Sequence, residues 1–78
     1  PGLQALYDLL LTLWENREGE FIRISNLEAS MILGCHPDSI SRNTRKLNER
    51  GYIHIKTLAT QQGFERRIWI NEKQKVRI

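Results

Sequence analysis

Apolar residues near the start of the chain recur at helical spacing: Leu3, Leu6, Tyr7, Leu10, Leu13 and Trp14. That period gathers them on one side of a helix, with Gln4, Asp8, Thr12 and Glu15 largely opposite. Leu9 and Leu11 widen the stripe. A stripe that broad fits burial in the chain's own core, and it also fits a homodimer contact or a partner domain docked on the first helix. The polar segment Asn16 to Gly19 ends the period. Phe21-Ile22-Arg23-Ile24 then alternates briefly and predicts a short first strand.

Ser25-Asn26-Leu27-Glu28 has the capping-box pattern, in which the Ser hydroxyl accepts from the Glu N–H and the carboxylate answers the Ser N–H. The spacing predicts a short helix from there to Gly34, a residue suited to the left-handed position that ends a helix. Pro37 stands well at the first position of a further helix, where no N–H is needed, with Asp38 in its first turn. That helix is expected to run to Arg50 and stop at Gly51. Tyr52 to Thr57 alternates apolar Ile53 and Ile55 with His54 and Lys56, a half-buried strand. Leu58 to Glu65 reads as a loop with Gln61-Gln62-Gly63 at its tip, and Arg66 to Ile70 returns as the second strand. Asn71 to Ile78 is a basic tail without a clear period. The fold class is therefore α+β: three helices, a short first strand and a C-terminal two-stranded β-hairpin.

On a wheel of about 100° per residue, Ile40, Thr44 and Leu47 of the third helix share one narrow, core-facing sector. The opposite sector holds Asp38, Ser39, Arg42, Arg45, Lys46 and Glu49. A cationic helix of this kind fits a major groove roughly 12 Å wide, where Arg can bond guanine twice and Lys can hold phosphate.

Charge sharpens the picture more than composition does. Residues 1–36 hold two Lys/Arg against five Asp/Glu, whereas residues 37–78 hold ten against four. The basic half is the one whose elements suit a polyanion. The 78 residues make a single domain, 1–78, near the lower limit for a core without staples. Its start at Pro1-Gly2 leads us to expect a piece of a longer protein. No apolar run approaches the length of a membrane span. One cysteine excludes an internal disulfide and points to the cytoplasm.

Ala29-Ser30-Met31-Ile32-Leu33-Gly34-Cys35-His36-Pro37-Asp38-Ser39-Ile40-Ser41-Arg42, followed by Leu47-Asn48-Glu49-Arg50-Gly51-Tyr52-Ile53, resembles the winged helix-turn-helix superfamily of bacterial and archaeal transcription regulators. The likeness covers about residues 3–70. Ser30 matches the small residue where the two helices cross, Gly34 the turn glycine and Ile40 the buried aliphatic of the recognition helix. Leu47 and Gly51 match the residues that end that helix before the first wing strand. The resemblance implies sequence-specific binding of double-stranded DNA, with helix 37–50 in the major groove and wing 56–67 on the backbone or minor groove. It makes Ser39, Ser41, Arg42, Arg45 and Lys46 groove contacts, and Lys56, Gln61, Gln62, Arg66 and Arg67 wing contacts. Two residues depart from the pattern. His36 replaces the common Ser/Thr cap, and Asn43 stands where a small apolar residue is usual; turned outward, Asn43 could pair with adenine. A fainter likeness to the Z-form nucleic acid binders, on Asn43 and Trp69, fails at Leu47 and at a wing without proline.

The remaining chemistry is sparse. Cys35, His36 and His54 lack the spacing of a metal site. No nucleophile elbow, phosphate loop or paired carboxylates occur, so neither an enzyme nor a cofactor is expected. Trp14 and Trp69 read as core. By resemblance the parent protein is a transcription regulator acting in the prokaryotic nucleoid, or else a plasmid, phage or mobile-element replication protein. A protein-interaction winged helix, docking through an exposed Leu9 or Leu11, is the contrasting expectation. RNA binding would want a more aromatic sheet.

Overall fold

A computed structural model describes residues 2–74. Helix α1 spans Gly2–Glu15, α2 Asn26–Leu33 and α3 Pro37–Glu49; strands β1 (Ile53–Thr60) and β2 (Gly63–Ile70) follow, and a 3-10 turn covers Glu72–Gln74. The chain is thus α+β, with helices first and one antiparallel hairpin after them.

The core lies where the three helices meet the base of the hairpin. Leu6, Tyr7, Leu10 and Trp14 come from α1, Ala29 from α2, Ile40 and Leu47 from α3, and Ile53, Ile68 and Ile70 from the hairpin. Ile22 and Ile24 close it from the connection between α1 and α2. Ser30 and Thr44 are buried beside them, and Ser30 satisfies its hydroxyl by donating to the carbonyl oxygen of Leu27 at 2.7 Å.

Each helix end has a local cause. At the end of α1, Arg17 donates to the carbonyl oxygen of Trp14 at 2.7 Å, and its guanidinium lies 3.4 Å from the centre of the Trp14 ring. A cation there complements the negative end of the helix. The capping box at α2 is complete: Glu28 N–H donates to Ser25 Oγ at 3.0 Å, and Ser25 N–H donates to Glu28 Oε1 at 3.2 Å. Gly34 ends α2 at φ 68°, the left-handed conformation that glycine adopts at least cost. His36 does the work of the missing Ser/Thr cap, because its Nδ1 accepts from Asp38 N–H at 3.0 Å. Helix α3 closes one residue early, with Arg50 as its cap.

Three sequence expectations change. The short first strand is reduced to one bridge, in which Ile22 and Ile68 exchange both backbone bonds at 2.9 and 3.0 Å. The capping box begins α2 only three residues later, so the ladder has no room to extend. The hairpin, by contrast, is longer than its alternation suggested: the strands run to Thr60 and from Gly63 across a Gln61-Gln62 turn. Thr60 holds that turn, its hydroxyl accepting from Gln62 N–H at 3.3 Å and donating to the Gly63 carbonyl oxygen at 3.0 Å. Part of the expected tail docks on the body. Tyr7 Oη donates to the Gln74 carbonyl oxygen at 3.3 Å, Trp14 Nε1 donates to Glu72, and Asn71 Nδ2 donates to the Gly51 carbonyl oxygen at 2.8 Å. Residues 75–78 of that tail lie outside the described residues.

Candidate nucleic-acid interface

Helix α3 buries Ile40, Thr44 and Leu47 and turns the rest of its wheel outward. Arg42, Arg45 and Lys46 are exposed, and Ser39 and Ser41 are half-buried at the margins. Arg42 Nη2 lies 3.5 Å from Ser39 Oγ, one turn back along the helix. Among the described residues, no ion pair engages Arg42, Arg45 or Lys46. Three cations on one helix face without acidic partners keep their full charge for an external anion. With thirteen residues the helix is about 20 Å long.

Asn43 occupies a different place from the one expected of a base reader. It is half-buried beside the first turn of α1, so close that a Cβ on Gly2 would lie 2.5 Å from its Nδ2. With Ser39, Ala5 and Leu33 it lines a cleft of about 250 Å³ between α1 and α3. Its position between the buried sector and the polar one sets the amide against the start of α1, in a cleft that Arg42 also lines.

The hairpin divides the expected contacts into free and committed ones. Lys56, Gln61 and Gln62 are exposed. Arg66 is not available in the same way. Its Nη1 donates to Asn26 Oδ1 at 2.8 Å and its Nη2 to the Ile24 carbonyl oxygen at 2.6 Å. Burial lowers its pKa below the ordinary guanidinium value. Arg67 donates from Nε to Glu65 Oε1 at 2.8 Å and lies 4.4 Å from the centre of the Phe21 ring. Glu65 also meets Arg23, at 3.7 Å. Both arginines expected to grip DNA from the hairpin therefore serve the fold first.

Strand parity explains the division. Directly opposed residues share a face, so Ile53/Ile70, Ile55/Ile68, Thr57/Arg66 and Ala59/Phe64 look toward the helical body. His54/Trp69, Lys56/Arg67 and Leu58/Glu65 look away from it. Arg66 meets the loop before α2 because its side chain leaves on the body side. On the outer side, Phe21 and His54 flank Trp69 with ring centres at 5.5 and 5.8 Å. Trp69 is thus half-buried, packed at the margin of the core and flanked by these two rings.

Leu9 and Leu11 of α1 are half-buried against the core, which leaves no broad exposed leucine face for a partner on that helix. Large apolar side chains are instead exposed on α2, at Leu27, Met31 and Ile32, and on the hairpin at Phe64. Sequence periodicity missed these because α2 has only eight residues, and its polar Asn26, Glu28 and Ser30 are spread around the wheel without marking one covered side. Counting back by twos from Ile70 does place Phe64 on the body-facing side, beyond the last buried isoleucine.

Cys35 is exposed and free. Among the described residues no group of three or more His, Cys, Asp or Glu is placed to share a metal ion, and no helix is long and apolar enough to cross a membrane. No protein-family model, curated protein or solved structure matches this chain.

Proposed function

We propose that this chain is a winged helix-turn-helix domain that binds double-stranded DNA sequence-specifically, with α3 in the major groove and the hairpin as a wing on the flanking backbone. The observation that carries this reading is the unpaired cationic face of α3, formed by Arg42, Arg45 and Lys46, on a helix entered through a tight glycine turn. Arg42 and Ser39 read bases; Arg45, Lys46 and Lys56 neutralise phosphates; Gln61 and Gln62 contact the duplex from the wing tip. Arg66 acts indirectly, by fixing the wing to the start of α2. The parent protein is proposed to be a transcription regulator of the prokaryotic nucleoid. A plasmid, phage or mobile-element replication protein would use the same contacts.

Selection from a random duplex library at about 150 mM salt, where weak electrostatic contacts are screened, tests the proposal. An enriched motif is expected. A palindrome would favour a dimeric regulator, and direct repeats an initiator. No enrichment, together with binding that vanishes as salt rises, would overturn sequence reading. It would leave protein docking as the alternative, for which the exposed Leu27, Met31 and Ile32 on α2 are the supporting observation.

A further inference from the structure

Phe64 is 82% exposed, the most exposed of the large apolar side chains among the described residues. Its cross-strand neighbour is Ala59, which offers it no ring to pack on, and no aromatic or cationic contact engages it. The side chain stands one residue past the turn, next to Gln61, Gln62 and Gly63.

We infer that Phe64 is an apolar wedge that enters a base-pair step of the minor groove flanking the α3 site and kinks the duplex there. This rests on the duplex-DNA reading above, and four features of the hairpin support it.

Reach comes first. Ile68 is the last buried residue on the body-facing side of β2, and at about 3.4 Å per residue the strand carries Phe64 roughly 14 Å beyond it. A minor groove lies half a duplex turn, about 17 Å, from the adjacent major groove, so the hairpin tip covers most of that span. Direction follows from parity: Phe64 shares the body-facing side with Arg66 and Ile68, where it walls an open cleft of about 650 Å³ together with Ser25, Glu28 and Gln62. It therefore projects into the concave angle between hairpin and helices.

Stiffness is the third feature. Separating stacked bases is costly, so a wedge needs a firm mount. Arg66, two residues away on the same side, is bonded to Asn26 and Ile24, and the Thr60 hydroxyl holds the turn on the other strand. The neighbouring chemistry is the fourth. Gln61 and Gln62 carry amide donors suited to the adenine N3 and thymine O2 acceptors of the minor groove. Of the two carboxylates that wall the cleft, Glu65 pairs with Arg67 and Arg23, and Glu28 is turned back onto Ser25 N–H at the start of α2.

The test uses the duplex enriched by library selection, with 2-aminopurine placed at successive flanking positions; its fluorescence rises when a base is unstacked. The chain is expected to brighten one flanking step and to bend the duplex in a permuted-site gel assay. Phe64→Ala should abolish both signals and weaken binding about tenfold, while the bases selected under α3 stay the same. Phe64→Leu should retain most of the effect, since another apolar side chain can fill the step. Because the residue is exposed, both variants should melt at the wild-type temperature, so a loss of signal cannot be attributed to unfolding. Brightening that persists in Phe64→Ala, or none in the wild-type chain on a duplex it binds, overturns the wedge. Arg42→Ala separates the two readings: it should relax base selection yet leave the flanking step bright on duplex that is bound. A wild-type chain that enriches no duplex fails at the earlier reading, and the wedge falls with it.

Discussion

Arg66 on β2 donates at 2.8 Å to Oδ1 of Asn26, the first residue of α2, across forty positions of sequence. A second bond from the same guanidinium, to the Ile24 carbonyl oxygen, makes the contact a staple between hairpin and helical body. Charged donors in such bonds are worth more than neutral ones, and removing them leaves a carbonyl without its partner. Arg66→Met should therefore lower the unfolding free energy by about 2 kcal/mol in urea titrations. Combined with Asn26→Ala, the losses should fall short of additive, because both changes break one bond. Additive losses would show that the two side chains do not act as a pair.

The division between free and committed cations gives a salt-dependence prediction. Each phosphate neutralised steepens the log–log salt slope of duplex binding by about 0.9. Arg45→Gln and Lys46→Gln should each flatten it by about that much. Arg66→Met should leave the slope unchanged while weakening the mount of the hairpin tip. An equal flattening from Arg66→Met would return that residue to the set of phosphate contacts.

Tyr7 links stability to high pH. Burial raises its pKa above the ordinary value of 10.0, and the nearby Tyr52, Glu72 and Asp8 add to the shift. The folded form holds the phenol proton more tightly than the unfolded chain does. This contribution is fully present below the unfolded pKa and is lost as pH rises through the higher folded one. Thermal melts should show a destabilisation beginning above about pH 10 that is smaller in Tyr7→Phe. The same variant loses the bond to Gln74 and should cost about 1 kcal/mol at neutral pH.

The caps of α2 offer a local control. Ser25→Ala removes the hydroxyl that accepts from Glu28 N–H and should cost about 1 kcal/mol. Gly34→Ala meets no neighbour within 4 Å, so its cost should come from the positive φ alone, again about 1 kcal/mol. Calorimetry of the two variants checks both. A much larger loss at Gly34 would mean that the turn also shifts α3.

Local signals carried much of the fold. The Ser25–Glu28 box, Gly34 and Pro37 set the ends of α2 and α3 within a residue, because capping is chemistry between neighbours in sequence. The apolar period of α1 likewise named its buried residues Leu6, Tyr7, Leu10 and Trp14. Alternation located the hairpin but lost its tip, since Leu58 to Glu65 carries turn-forming residues whose strand character rests on cross-strand pairing.

By itself, the sequence determined which residues could be helical, where the helices stop, and that basic side chains gather in the second half of the chain and on one face of α3. Only the tertiary structure decided which of those cations stay free. Arg42, Arg45 and Lys46 remain without ion-pair partners, while Arg66 and Arg67 are held by Asn26, Ile24, Glu65 and Phe21. It also decided that Asn43 lies against α1 and that Phe64 stands in solvent. The reason is physical: a helix period or a strand parity fixes the side from which a group leaves the backbone. What it meets there depends on segments tens of residues away, and only the folded chain brings them together.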